Sequence, residues 1–250
     1  CLPQGTQFFY PESLRVNDLT KHLKEQGHSI TVITGQPDYP NPKYFRDYKS
    51  RSKFTDEFYG IKVIRVPIIS RKNGSFVSLC LNYTSFVVFA TLFGITRLRG
   101  KYDSTFVWSS SPITSCIPAI IYKWFTRTPI TIWIQDLWPE SLIAVGATGK
   151  ESLLYKAIGL VVRFIYRHCD NILAQSEAFK PSILKWHNKE EKIHYAPNWA
   201  QDLASNEVTT NLDEKHPEDA VRQGRSSVHA VVVPAKTDAL ADPVSPYCKA

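Results

Sequence analysis

Short runs of β-branched and aromatic residues alternate with segments of helical spacing along most of this chain, and that alternation limits the fold more than any other feature. SITVIT (Ser29 to Thr34), the run Ile61 to Val66, STFVWS (Ser104 to Ser109), PITIWIQ (Pro129 to Gln135), NILAQ (Asn171 to Gln175) and KIHYAPN (Lys192 to Asn198) read as strands. Between Glu12 and Gln26, Leu14, Val16, Leu19 and Leu23 repeat on one helical face, and Gly27 supplies the stop. A second amphipathic helix is predicted from Ser152 to His168, a third opens at SPITS with Pro112 in its first turn, and SEAFKPSILKWH reads as a fourth. Buried strands separated by helices of this length imply βαβ crossovers, hence an α/β fold with a doubly wound, parallel, Rossmann-like sheet. The start departs from this pattern. CLPQGTQFF puts Pro3 and Gly5 where an apolar strand should lead into the first helix, so that strand is expected to be altered.

Composition divides the chain in two. Of 250 residues, those from 204 to 250 hold five Lys or Arg against seven Asp or Glu, and Tyr247 is their only aromatic. Such a segment buries too little apolar surface to offset the entropy of ordering it. Residues 1–203 are therefore expected to form the folded unit, and 204–250 a mostly disordered tail. The net charge of +7 is thus −2 on the tail and +9 on the folded part, which suggests an anionic partner: nucleic acid, a membrane surface or a phosphorylated substrate. No helix-turn-helix, zinc-finger or RNA-binding signature accompanies it, which argues against nucleic acid.

The cysteines, Cys1, Cys80, Cys116, Cys169 and Cys248, are odd in number and mostly lie in apolar segments, as expected for reduced thiols in a cytosolic setting. Neither a dinucleotide-binding glycine fingerprint nor a P-loop occurs, and no metal-ligand spacing is visible. His22, His28, His168, His187 and His194 pair with no nucleophile in a recognisable pattern and read mostly as structural residues.

FFYPESLRVNDL (Phe8 to Leu19), GHSITVITGQPDYP, QDLWPES (Gln135 to Ser141), AQSEAF and APNW occur in this order over about Thr6 to Leu203. In these segments the chain resembles the amino-terminal domain of family-4-like retaining glycosyltransferases, in particular the branch that builds O-antigen, colanic-acid and capsular polysaccharides, including N-acetyl-L-fucosamine transferases. The resemblance implies one half of a two-domain GT-B enzyme, holding the acceptor while a second domain holds the nucleotide sugar, expected to be UDP-linked. It also implies a lipid diphosphate-linked acceptor, no metal or other cofactor, and a cytoplasmic site at the inner face of the plasma membrane. The family's continuation into the donor domain is not recognisable after Leu203, so the chain is expected to be truncated and inactive alone. The alternative is a non-catalytic, membrane-associated remnant of the fold.

Sugar transfer needs the diphosphate stabilised and the acceptor hydroxyl held near the anomeric carbon. In an open parallel sheet the ligand crevice lies beyond the carboxyl ends of the strands. The N–H groups of Glu12, Ser13 and Leu14, at a helix start, suit a phosphate oxygen; equally, Glu12 and Ser13 cap the helix. Arg15 and Asn17, one turn further on, face either the cleft or solvent. Asp136, ending an apolar strand, is placed to orient or deprotonate the acceptor hydroxyl, with Glu140 as a second catalytic candidate; the other role for Asp136 is a turn cap. Trp138 either stacks on a sugar or packs in the core, and Ser176 and Asn198 are further substrate-binding candidates at strand ends.

Phe76 to Ile95 carries no charge and has the length of a membrane span, flanked by Arg71, Lys72, Arg97, Arg99 and Lys101. Asn82, Thr84 and Ser85 near its middle favour a packed or interfacial helix. Lys156, Arg163 and Arg167 share a helix face, either solvated or docked on an anionic membrane.

Overall fold

A computed structural model describes residues 15–36, 54–70, 76–98, 102–109, 111–144, 146, 148–199 and 232–236. The first helix, α1 (Arg15–Glu25), buries Val16 and stops at Gly27, whose φ of +90° is the left-handed conformation that suits glycine. There follow β1 (Ser29–Gly35), β2 (Thr55–Phe58), β3 (Ile61–Val66), α2 (Phe76–Arg97), β4 (Ser104–Ser109), α3 (Ile117–Thr126), β5 (Ile130–Ile134), α4 (Glu140–Ala144), α5 (Leu153–His168), β6 (Asn171–Ala174), α6 (Lys180–Trp186), β7 (Ile193–Tyr195) and β8 (Val232–Lys236).

The strands form one sheet in the order β2-β3-β1-β8-β4-β5-β6-β7. β1 and β3 pair in parallel, as do β4 through β7, and this is the α/β, Rossmann-like arrangement that the helix–strand alternation implies. Alternation of side chains across each strand then sorts the core. On one face Ile33, Ile64 and Val66 pack with Phe86 and Ala90 of α2. On that same face Val107, Ile130, Ile132 and Ile134 pack with Ile120 of α3, Val162 and Ile165 of α5, and Ile183 of α6. Ile30, Val32, Ile61, Val63, Trp108 and Trp133 point the other way, where Val16 of α1 joins them.

Two strands run against the parallel set. β2 forms an antiparallel hairpin with β3, turning at Tyr59 and Gly60, both at positive φ. β8 lies between β1 and β4, antiparallel to both, with Ile30 opposite Ala235 and Phe106 opposite Val233. Residues 232–236, within the segment expected to be mostly a disordered tail, supply this central strand; the rest of 204–250 lies outside the described residues. A backbone ladder needs extended chain and free peptide groups, not aromatic side chains. The altered first strand, in residues 1–14, also falls outside the described residues.

α2 lies flat on this fold. Its inner face packs on β1, β3 and α3, and Asn82 Nδ2 donates to the Ile69 carbonyl at 2.6 Å while Ser85 Oγ accepts from the Ile69 N–H at 2.9 Å. The polar residues that interrupt its apolar run therefore tie it to the chain entering it.

Candidate functional site

The carboxyl ends of β5, β6 and β7 lie side by side, and each run leaves the sheet through an amide: Gln135 after β5, Gln175 after β6 and Asn198 beyond β7. Gln175 Nε2 donates to the Gln135 carbonyl at 2.5 Å, which turns Gln175 Oε1 toward Asn198. Asn198 Nδ2 donates to that oxygen and, at 2.9 Å, to Gln135 Oε1. One contact thus fixes the orientation of the next. What remains over is one donor, Gln135 Nε2, and one acceptor, Asn198 Oδ1, both buried and without a protein partner. Buried polar groups are rarely left so, and a ligand hydroxyl can serve as acceptor for the first and donor to the second.

Asp136 follows Gln135 directly. Its side chain stays exposed, yet loss of solvation against the strand ends raises its carboxyl above the ordinary carboxylate value. A carboxylate so placed is a stronger hydrogen-bond acceptor and base than a fully solvated one.

The other residues singled out by sequence are placed differently. Ser176 Oγ accepts from the Ala178 N–H at 3.3 Å and so caps the short turn ahead of α6. Trp138 packs against the cluster under α3 and α5. Glu140, at the start of α4, is drawn into a network with the two following helices. Its Oε1 accepts from Tyr155 Oη at 3.2 Å and from Trp186 Nε1 at 3.3 Å, and lies 3.8 Å from Lys185 Nζ. Asn17 is buried in α1 at 8% exposure, not solvated. Arg15 is the first residue of α1, and Glu12 and Ser13 lie outside the described residues. Among the described residues, Asp136 and Asn198 are therefore the candidates that reach the strand-end cluster.

Sequence reasoning missed Gln135 and Gln175. A signal was present, since PITIWIQ and NILAQ each end in glutamine where the apolar run stops. Only the adjacency of β5 and β6 makes the two amides one site. Trp133 was also missed as a support: its Nε1 donates to the Ala196 carbonyl at 2.9 Å and its ring stacks on Trp199 at 5.5 Å between centroids, holding the segment that carries Asn198.

No group of three or more His, Cys, Asp or Glu able to hold a metal ion occurs among the described residues. Cys116 and Cys169, distant in sequence, meet with 3.9 Å between sulfurs, both buried and reduced. Burial, with the charges of Lys192 and Lys189, lowers the pKa of His187, which is 4% exposed.

A Rossmann-like sheet whose carboxyl edge ends in a partly unsatisfied polar cluster has the place and the groups to bind a ligand. The model of the glycosyl transferase 4-like domain matches residues 13–199, and the chain belongs to this family. It is also similar to the protein named "Putative colanic acid biosynthesis glycosyl transferase WcaI" of Escherichia coli (strain K12), at 22% identity over 187 residues. That match covers 74% of this chain and 45% of the relative, so the chain spans less than half of the relative's length.

Proposed function

We propose that this chain is the acceptor-side domain of a retaining glycosyltransferase that moves a sugar from a nucleotide-sugar donor, UDP-linked, to a lipid diphosphate-linked acceptor. Membership of the glycosyl transferase 4-like family and similarity to a protein named for colanic acid biosynthesis support a role in bacterial surface polysaccharide synthesis, in which O-antigen and lipopolysaccharide assembly belong to the same chemistry. The observation that carries the acceptor-side assignment is the unsatisfied pair, Gln135 Nε2 and Asn198 Oδ1, at the carboxyl edge of the sheet. Neighbouring sugar hydroxyls fit such a pair, because each hydroxyl both donates and accepts. In this reading Asp136 orients the attacking hydroxyl and takes up its proton, and its raised pKa suits that task. A facing domain supplies the donor and the groups that stabilise the leaving diphosphate. The protein works at the cytoplasmic face of the plasma membrane, where the lipid-linked acceptor is.

Titration of the purified chain with a short-chain lipid diphosphate-linked sugar, and separately with UDP-sugars, tests the assignment. Saturable binding of the acceptor alone is expected. Binding of UDP-sugar without acceptor binding would overturn it.

A further inference from the structure

The helices that cover the sheet leave an apolar outer layer with nothing packed on it among the described residues. On α2 the outward stripe Val77, Leu81, Val88, Leu92 and Ile95 is 44% to 66% exposed, and no charge occurs between Phe76 and Thr96. α3 packs beside α2 and ends in Trp124 and Phe125, 58% and 72% exposed. Trp124 in turn meets Phe164 of α5 ring to ring at 6.5 Å. On α5 the outer face shows Leu153, Leu160 and Phe164, at 85%, 66% and 38% exposure. Exposure of large side chains on three neighbouring helices makes this a patch, not scattered surface residues.

Cations border it, together with the exposed Asp103 and with Asp170, which Lys123 pairs. Arg127, Arg163 and Arg167 are exposed at the end of α3 and on α5, beside Trp124, Phe125, Leu160 and Phe164. Lys156 lies on the same helix face and pairs with Glu151 at 3.4 Å, at the far end of α5. Because α2, α3 and α5 each lead into the amino end of the following parallel strand, these arginines gather at the edge of the sheet opposite Asp136 and Asn198.

We infer that the outer layer of α2, α3 and α5 docks on an anionic lipid surface, with aromatic and aliphatic side chains in the acyl boundary and the arginines at the headgroups. Apolar residues interleaved with cations on helices that lie flat are the pattern of an interfacial, non-spanning attachment. α2 has the length and hydropathy of a span, but its inner face is committed to β1, β3 and α3, so it offers only its outer stripe. A second copy of the chain is the competing occupant, and a two-fold pairing of this face would bring the arginines of both copies together. The inference deepens the membrane part of the proposed function, and it is tested without acceptor or donor so that docking and transfer fail separately.

The test is flotation of the full chain with vesicles of phosphatidylcholine alone or mixed equally with phosphatidylglycerol, at low and high salt. Binding to the mixed vesicles only, weakened by salt, is expected. Arg163→Glu with Arg167→Glu should reduce it about tenfold or more, given what each basic residue contributes near an anionic surface. Trp124→Ser, Phe125→Ser and Leu160→Ser together should abolish it, with far-UV circular dichroism and melting unchanged. Brominated lipid should quench the chain but not the Trp124→Phe variant to the same degree. Equal binding to neutral vesicles, unchanged binding by both variants, or self-association without vesicle binding would overturn the inference, the last assigning the patch to a copy–copy interface.

Discussion

The Arg65 side chain is completely buried, and its Nε and Nη2 both donate to Asp56 Oδ2, at 3.1 and 2.7 Å. This joins the edge strand β2 to β3 by a charge pair in addition to the ladder. Asp56→Ala removes this pair from a buried guanidinium, so a loss of about 3 kcal/mol is expected by chemical denaturation. A loss below about 1 kcal/mol, the level of an exposed pair, would show that water reaches Arg65.

Gly159 lets α5 and α6 approach closely. A methyl group built there would overlap the Trp186 ring, whose Nε1 donates to Glu140. Helix propensity favours alanine by about 1 kcal/mol, whereas overpacking costs about 1 to 3 kcal/mol. Gly159→Ala should therefore lower the melting temperature, and Gly159→Ala with Trp186→Leu should recover part of the loss.

Asp170 gathers the amino edge of β5. It accepts from Lys123 Nζ at 2.5 Å and from the Ile130 N–H at 2.7 Å. Burial alone would raise its carboxyl, but these two hydrogen bonds, with the charges of Lys123 and Lys192, hold it below the ordinary value. A depressed folded pKa gives stability that is fully present above the unfolded value, about 4, and is lost as pH falls through the folded one. The stability difference between the parent and Asp170→Asn should thus be constant near neutrality and shrink steadily under acid. A difference independent of pH would assign the loss to shape, not to charge.

Much of this was legible because strands and helices differ in the period of their apolar residues. SITVIT, STFVWS, PITIWIQ and NILAQ all became strands at the expected places. β2, with the sequence TDEF, was not foreseen, since a polar edge strand is held mainly by backbone bonds and carries no alternating signal. The site was half legible. The end of an apolar run marked Asp136 and Asn198, but the amide network needs the spatial order of β5, β6 and β7, and nothing local encodes it. Glu140 shows the converse: its place after a strand end was visible in the sequence, while its partners Tyr155, Lys185 and Trp186, distant in sequence, were not.

The amide cluster makes its own prediction. Asn198→Ala removes the acceptor and the donor to both glutamines, so affinity for the lipid-linked acceptor should fall about tenfold or more, the effect of one or two hydrogen bonds. Asp136→Asn should leave that affinity nearly unchanged and lower the rate about a hundredfold or more in an assembled two-domain enzyme. The reverse pattern would exchange the two roles.

β8 can be tested by introducing a protease site between residues 204 and 231. After cleavage, the piece carrying Val232–Lys236 should stay with the body through gel filtration, held by pairing with β1 and β4. Val233→Pro removes a second backbone donor next to Pro234, and the piece should then be lost. Release of the unmodified piece from a body that melts as before would show that the sheet does not need it.

The position of β8 also sets an order of events during synthesis. β1 and β3 form one parallel group and β4 to β7 another, and the strand that joins them lies more than thirty residues beyond the last of these. A nascent chain can gather each group as it emerges, yet it cannot close the sheet until residue 236 has left the ribosome. Contacts of such long sequence separation form slowly. Until then the facing edges of β1 and β4 are unpaired peptide groups open to other chains, the condition in which a folding intermediate is most prone to aggregate.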